Sequence, residues 1–251
     1  MDLNADAGES YGRWTLGDDA RLYPHLSSVN LALGAHAGDP GTLRRAVDLA
    51  RQHGLGIGAH PGYPDLQGFG RRELALTPEE IHDLTLAQLG TLSAFLHLSG
   101  TPMQHVKAHG ALYFRIHGDA HAGQAFCHAV QRFVPHAALM VLAGPAGETL
   151  AATAHASGLR VWREAFPERG YLASGLLAPR SLPGSSVHDP HEAADRAVQM
   201  ARGTLTALDG TRIALHADTL CIHGDNPNAV QIAAAVRAAL AAADVPVAPP
   251  A

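Results

Sequence analysis

One lysine, Lys107, stands in a chain of 251 residues whose other fixed cations are all arginines, within the run Gln104-His105-Val106-Lys107-Ala108-His109-Gly110. A compact ammonium with rotatable donors suits a phosphoryl oxygen or a developing oxyanion, whereas guanidinium suits planar, bidentate pairs. Taken alone, such a residue is as readily a solvated surface group. Its surroundings argue for chemistry, because four apolar runs close on histidine: Leu33-Gly34-Ala35-His36, Ile57-Gly58-Ala59-His60, Val106-Lys107-Ala108-His109 and Cys221-Ile222-His223. A single histidine at a strand end is commonly structural, but four at corresponding ends are hard to explain by packing. In a parallel α/β barrel the carboxyl ends of the strands converge on one face, where active sites are built.

Residues two apart on a strand face the same side. Lys107 therefore points with His109, Asn4 with Asp6, and, if the extension continues, His223 with Asp225. Beneath His36 and His60 the same parity gives Asn30, Ala32, Gly34, Gly56 and Gly58, which describes small residues below a polar rim. Glu9 and Glu164 adjoin strand ends, where a carboxylate serves as a base or holds a histidine. Gly68-Phe69-Gly70-Arg71-Arg72 is a glycine-rich loop with paired arginines, and Arg72, Arg169 and Arg180 carry the charge to meet phosphate or carboxylate. Asp6 with His36, His60 or His109 is a conceivable metal triad. No closely spaced ligand pair nominates it, and no bound metal is expected.

Three common arrangements are missing. Lys107 follows no Gly-x-x-x-x-Gly loop, His191-Glu192 has no second histidine at helical spacing, and no Gly-x-Ser-x-Gly occurs.

The elements that must position these groups alternate along the chain. Short apolar strands are predicted at 3–7, 29–34, 56–60, 105–109, 139–143, 159–163 and 220–223, with a further one near Leu176. Helical patterns lie between them, the signature of parallel strands joined by helical crossovers. Asp39-Pro40, Thr77-Pro78 with Glu80, and Asn226-Pro227 carry helix-start chemistry, and Gly54 and Gly100 suit helix ends. The expectation is one (β/α) barrel domain over residues 1–245 and a flexible tail over 246–251.

A net charge of −5, with no basic stripe interleaved with aromatics, argues against nucleic acid as a partner. Cys127 and Cys221 form no Cys-x-x-Cys pair, so a reducing compartment is expected. Residues 1–6 lack the basic and apolar regions of a secretory leader, and no run is long and uncharged enough to span a bilayer. These features predict a cytoplasmic protein with a small-molecule substrate.

Together the motifs resemble the LamB/YcsF family: Asp2 through Gly12, His36-Ala37-Gly38-Asp39-Pro40, Gly58 through Asp65 with Gly68 through Arg72, Val106 through Tyr113, Glu164-Ala165-Phe166, and His223-Gly224-Asp225. Leu33, Ala35, Ala108, Phe114 and Pro167-Glu168 depart from the pattern expected of that family. The resemblance implies a seven-stranded, TIM-like barrel of the glycoside hydrolase and deacetylase type. It also implies the A subunit of an ATP-dependent 5-oxoprolinase, which with partner subunits B and C opens 5-oxo-L-proline to L-glutamate while ATP, with Mg²⁺, becomes ADP and phosphate. On that reading Asp6, His36, His60, Lys107, His109 and Asp225 are the catalytic candidates. Asn4, Glu9, Arg72, Tyr113, Glu164, Arg180 and His223 are candidates for binding substrate or nucleotide. Two other readings stay open: a metal-dependent, deacetylase-like hydrolase built on Asp6 and the histidines, and a non-catalytic subunit that binds a metabolite.

Overall fold

Which face of each strand is polar decides this architecture. In the computed structural model, which describes residues 1–250, β1 (Asp2–Ala7), β2 (Ser28–Ala32), β3 (Gly56–His60), β4 (His105–Val106), β5 (Ala138–Leu142) and β6 (Arg160–Ala165) run parallel. A short antiparallel hairpin, β7 (Thr204–Thr206) and β8 (Arg212–Ala214), stands apart from them. Strand β9 (Thr219–His223) then inserts between β6 and β1 and closes a seven-stranded parallel barrel. The barrel is TIM-like, of the expected type.

The connections are α1 (Asp19–Leu22), α2 (Pro40–Gln52), α3 (Pro78–Ser99), α4 (Gly110–Gly118), α5 (Ala120–Phe133), α6 (Glu148–Ala156), α7 (Pro190–Ala201) and α8 (Ala229–Ala242). Asp39 caps α2 by accepting from the Gly41 and Thr42 N–H groups. Thr77 and Glu80 cap α3 reciprocally, and Gly100 ends it at φ 63°. At α8 the cap residue is Asn228, not Asn226, and it makes no side-chain cap bond. The Asn226 amide is spent instead on Glu168.

Alternate residues of the strands face outward, and Leu3, Ala5, Val29, Leu31, Ile57, Val106, Leu139, Leu220 and Ile222 are buried in one apolar layer with the helices. The inward residues are largely polar. Asp2 at the closed end accepts from Ser27, Ser28 and Thr219 hydroxyls. One level up, the Asn30 amide donates to Asn4 Oδ1 at 2.7 Å and to Asp6 Oδ1 at 2.8 Å, and His105 Nε2 meets Asn30 Oδ1 at 2.7 Å. Ala138, Met140 and Trp162 fill the opposite side of the lumen as a small separate apolar cluster. Small residues below the rim are thus only part of the arrangement. Gly58 is small because the His105 ring occupies the space its side chain would need.

Several expected boundaries shift. Strand β4 pairs with β5 only at His105 and Val106, yet the Lys107 and His109 N–H groups still donate to Ala59 and Pro61 carbonyls on the β3 side, which keeps both side chains facing inward. Leu176 is exposed beside a turn at Gly175, where a single bridge from Tyr171 to Leu177 replaces the expected strand. Within the expected tail, the Met1 amino group donates to the Pro246 carbonyl at 2.9 Å and the Ala248 N–H to the Met1 carbonyl at 3.1 Å. Ala251 of that expected tail lies outside the described residues. Among the described residues no helix is long and apolar enough to cross a membrane.

Adding a methyl group at Gly58 should push His105 off Asn30. Gly58→Ala is expected to lower the free energy of urea unfolding by about 1–3 kcal/mol, the usual cost of overpacking; unchanged stability would show that the ring relocates freely.

Candidate active site

Lys107 and Asp6 meet at the open end of the barrel, each brought there by strand parity. Lys107 Nζ lies 2.8 Å from Asp6 Oδ1, 2.9 Å from Glu164 Oε1 and 3.0 Å from Cys221 Sγ. The ammonium donates to Asp6 Oδ1 and to the weakly accepting Cys221 thiol, and Glu164 adds a second carboxylate charge at ion-pair distance. Burial favours the neutral amine, yet Asp6, Cys221 and Glu164 hold the Lys107 pKa well above its ordinary value. Burial likewise pushes the Asp6 carboxyl up, but the neighbouring His60 and Lys107 outweigh it and hold Asp6 well below the usual range. Both groups are therefore ionised. Glu164 Oε2 has no hydrogen-bond partner.

Above this pair three imidazoles gather. His60 Nε2 lies 3.4 Å from Asp6 Oδ2, and its Nδ1 meets the Lys107 carbonyl at 2.9 Å. His109 places Nδ1 3.0 Å from His60 Nε2 and Nε2 2.8 Å from the Phe69 carbonyl. His36 stacks flat on His109, with ring centroids 3.7 Å apart, and neither of its nitrogens has a partner. Burial and the neighbouring imidazoles keep His36 neutral, and burial with His60 pushes His109 down to about 3. Glu9 is pushed well above the usual carboxylate range by burial and by the charges of Asp6, Asp225 and Asp19.

A cavity of about 700 Å³ opens over these groups, lined by Asp6, Glu9, His60, Lys107, His109, Tyr113, His223 and Asp225 among others. That volume is within the usual range for ligand sites and exceeds what a five-membered ring requires. The buried Tyr113 hydroxyl lies beside Glu164, and burial with that carboxylate raises its pKa well above the ordinary value. Phe166 forms an apolar wall, its ring stacked on His223 and 5.5 Å from Lys107 Nζ.

Other candidates fall elsewhere. Asn4 and Glu164 lie beneath the floor, where Asn4 Nδ2 donates to Thr219 Oγ1 at 2.6 Å and to Glu164 Oε1 at 3.3 Å; neither lines the cavity. His36 is behind His109, also off the cavity wall. Arg72 turns outward to Asp65, and it is Arg71 that reaches the cavity, paired to Asp225 at 2.5 Å and placed over the Phe69 ring. The chain turns after His223, so Asp225 is oriented by Arg71 rather than by continued extension. Arg180 is on the wall. Arg169 also reaches the wall, but its guanidinium donates to the Ser185 and Ala178 carbonyls. In the glycine-rich loop Gly70 packs against His36 and His109, and the Ala111 N–H donates to the Gly70 carbonyl.

Glu168 was not anticipated. Buried, it accepts from the His223 N–H at 2.7 Å, meets His223 Nδ1 at 3.2 Å and takes the Asn226 amide. Its only sequence signal was the departure at Pro167-Glu168. Arg71 had a signal in the arginine pair, but adjacency alone does not say which of two residues faces in.

The LamB/YcsF family model matches residues 1–251. The chain is 72% identical over 240 residues to the 5-oxoprolinase A subunit from Deinococcus radiodurans, covering 96% of this chain and 93% of that one. It is 56% identical over 248 residues to the 5-oxoprolinase A subunit from Thermus thermophilus, covering 98% of each. The crystal structure of the lactam utilization protein from Thermus thermophilus superposes with a TM-score of 0.94 at 53% identity, over 99% of this chain and 98% of that one.

The buried histidines make an acid-sensitivity test. Burial, then Lys107 and His60, push His105 down to about 3 from an ordinary 6.5, so the fold binds its neutral form. That stability is present above 6.5 and lost as the pH falls towards 3. Urea titrations across this window should show the unfolding free energy dropping less steeply in His105→Gln than in the parent, by about 1.4 kcal/mol per pH unit. Parallel profiles would place the acid sensitivity elsewhere.

Proposed function

The chain belongs to the LamB/YcsF family, and we propose that it is the A subunit of an ATP-dependent 5-oxoprolinase, opening the lactam of 5-oxo-L-proline to L-glutamate together with subunits B and C. One observation carries this reading: a buried, ionised Lys107–Asp6 pair at the floor of a cavity whose wall also offers Arg71, Arg180 and Tyr113. The names borne by the similar Deinococcus and Thermus proteins support it.

A lactam carbonyl is a weak electrophile. Phosphorylating its oxygen, with ATP as the donor and Mg²⁺ as its companion, would leave the ring carbon open to attack by water; the carbon–nitrogen bond then breaks, the nitrogen leaves as the amine, and the acyl phosphate so formed is hydrolysed by a second water to glutamate and phosphate. Charge builds on oxygen throughout, and a preorganised cation in a dry site stabilises such charge. Lys107 is that cation. Exchanging its bond to the weakly accepting Cys221 thiol for a substrate oxygen leaves both carboxylate contacts in place.

Asp6, held ionised and in contact with His60, orients the attacking water. Arg71 and Arg180 meet the substrate carboxylate or phosphoryl oxygens, and Tyr113 adds a hydroxyl on the same wall. Among the described residues the anion-binding groups on the wall come from separate loops rather than from one phosphate-cradling turn.

Glutamate and phosphate release should be measured for this chain alone and after mixing with subunits B and C. Turnover is expected only in the mixture, with about one phosphate released per ring opened. Lys107→Met should lower that coupled rate by about 10²-fold or more, the scale of losing one oxyanion-stabilising donor. Ring opening that needs no ATP, or full coupled turnover by Lys107→Met, would overturn the reading.

A further inference from the structure

The protons on His60 and His109 can be assigned from their backbone partners. A carbonyl oxygen only accepts, so the 2.9 Å contact of His60 Nδ1 with the Lys107 carbonyl and the 2.8 Å contact of His109 Nε2 with the Phe69 carbonyl each require an N–H. In neutral imidazoles the remaining nitrogens, His60 Nε2 and His109 Nδ1, then carry lone pairs. They face each other at 3.0 Å. Two lone pairs at that distance repel unless something positive lies with them.

The surroundings point to more than a shared proton. Ligand atoms of Glu9, His36, His60 and His109 all lie within 4.8 Å of one another, and all four residues are buried. Two imidazole nitrogens on one Zn²⁺, each about 2.0–2.1 Å from the metal, stand about 3.3 Å apart at the tetrahedral angle. Metal-bound histidines characteristically donate their second N–H to a carbonyl or carboxylate, which fixes the tautomer. His60 and His109 both do so. His36 has no partner on either nitrogen, an unusual state for a buried ring.

We propose that Glu9, His36, His60 and His109 form a binding site for one divalent transition-metal ion of the zinc class, at the cavity edge beside Asp6. Three imidazoles and one carboxylate select such an ion over Mg²⁺ or Ca²⁺, which prefer oxygen. Glu9, His60 and His109 line the cavity, so an ion has a route in. The His36 ring lies flat on His109, its ligand atom is already within 4.8 Å of those of the other three residues, and no hydrogen bond commits either of its nitrogens. The site stands apart from the lactam reading, because occupancy is measured without turnover.

The full chain should be stripped with chelator, then titrated with Zn²⁺ by calorimetry and with Co²⁺ by visible absorption, alongside Glu9→Gln and His109→Ala. One ion per chain is expected, with a Co²⁺ spectrum of mixed nitrogen and oxygen ligation and a higher melting temperature on Zn²⁺ addition. Each variant should weaken affinity by more than about tenfold. Glu9→Gln, close in shape to the parent, keeps the test decisive if His109→Ala fails to fold. Absence of stoichiometric binding by the parent would overturn the site, as would equal affinity in Glu9→Gln, which would assign the ion to other histidines. Failure of ATP-coupled ring opening would leave this result untouched.

Discussion

The ammonium of Lys107, enclosed between Asp6 and Glu164, is the interaction on which the barrel interior depends. Removing an ion from water costs several kcal/mol, recovered only when partners and hydrogen bonds are complete. Each carboxylate is completed from below: Asp6 by the Asn30 amide, Glu164 by the Asn4 amide, and those amides by one another and by Thr219. Three levels of polar side chains therefore exist to make one buried cation tenable. Removing any single partner leaves charge uncompensated, which is costlier than replacing the whole set.

The same requirement explains the division of labour between the two faces of each strand. Outward positions are aliphatic and hold the helices, so stability resides in the layer between barrel and helices. Inward positions are thereby released from packing duty and carry polar groups. Where the lumen is not polar, Trp162 and Met140 fill it, and the His105 ring beside Trp162 joins the two regions.

Much of this was legible in the sequence. Strand parity placed Lys107 with His109 and Asn4 with Asp6 because alternation is a property of the backbone, independent of what the strand packs against. Proline after a capping residue located α2 and α3 for the same local reason. It misled at Asn226, whose amide serves Glu168 from the neighbouring loop. Loops were the weak point. Arg71 and Arg72 are adjacent and chemically equal, and only the fixed positions of Asp225 and Asp65 sort them. In the glycine-rich loop, Gly70 is small where the His36 and His109 rings approach, and Gly68 where Asp65 meets Arg72.

Phe69 holds a positive φ of 54°, a conformation that side chains other than glycine seldom adopt. The turn it makes aims its carbonyl at His109 Nε2. That oxygen can accept but never give a proton, so the backbone of one residue settles on which nitrogen the imidazole keeps its hydrogen. Acid–base character at the cavity wall is in this sense written in a torsion angle, and reshaping the turn would exchange a lone pair for a proton without altering a single ionisable group.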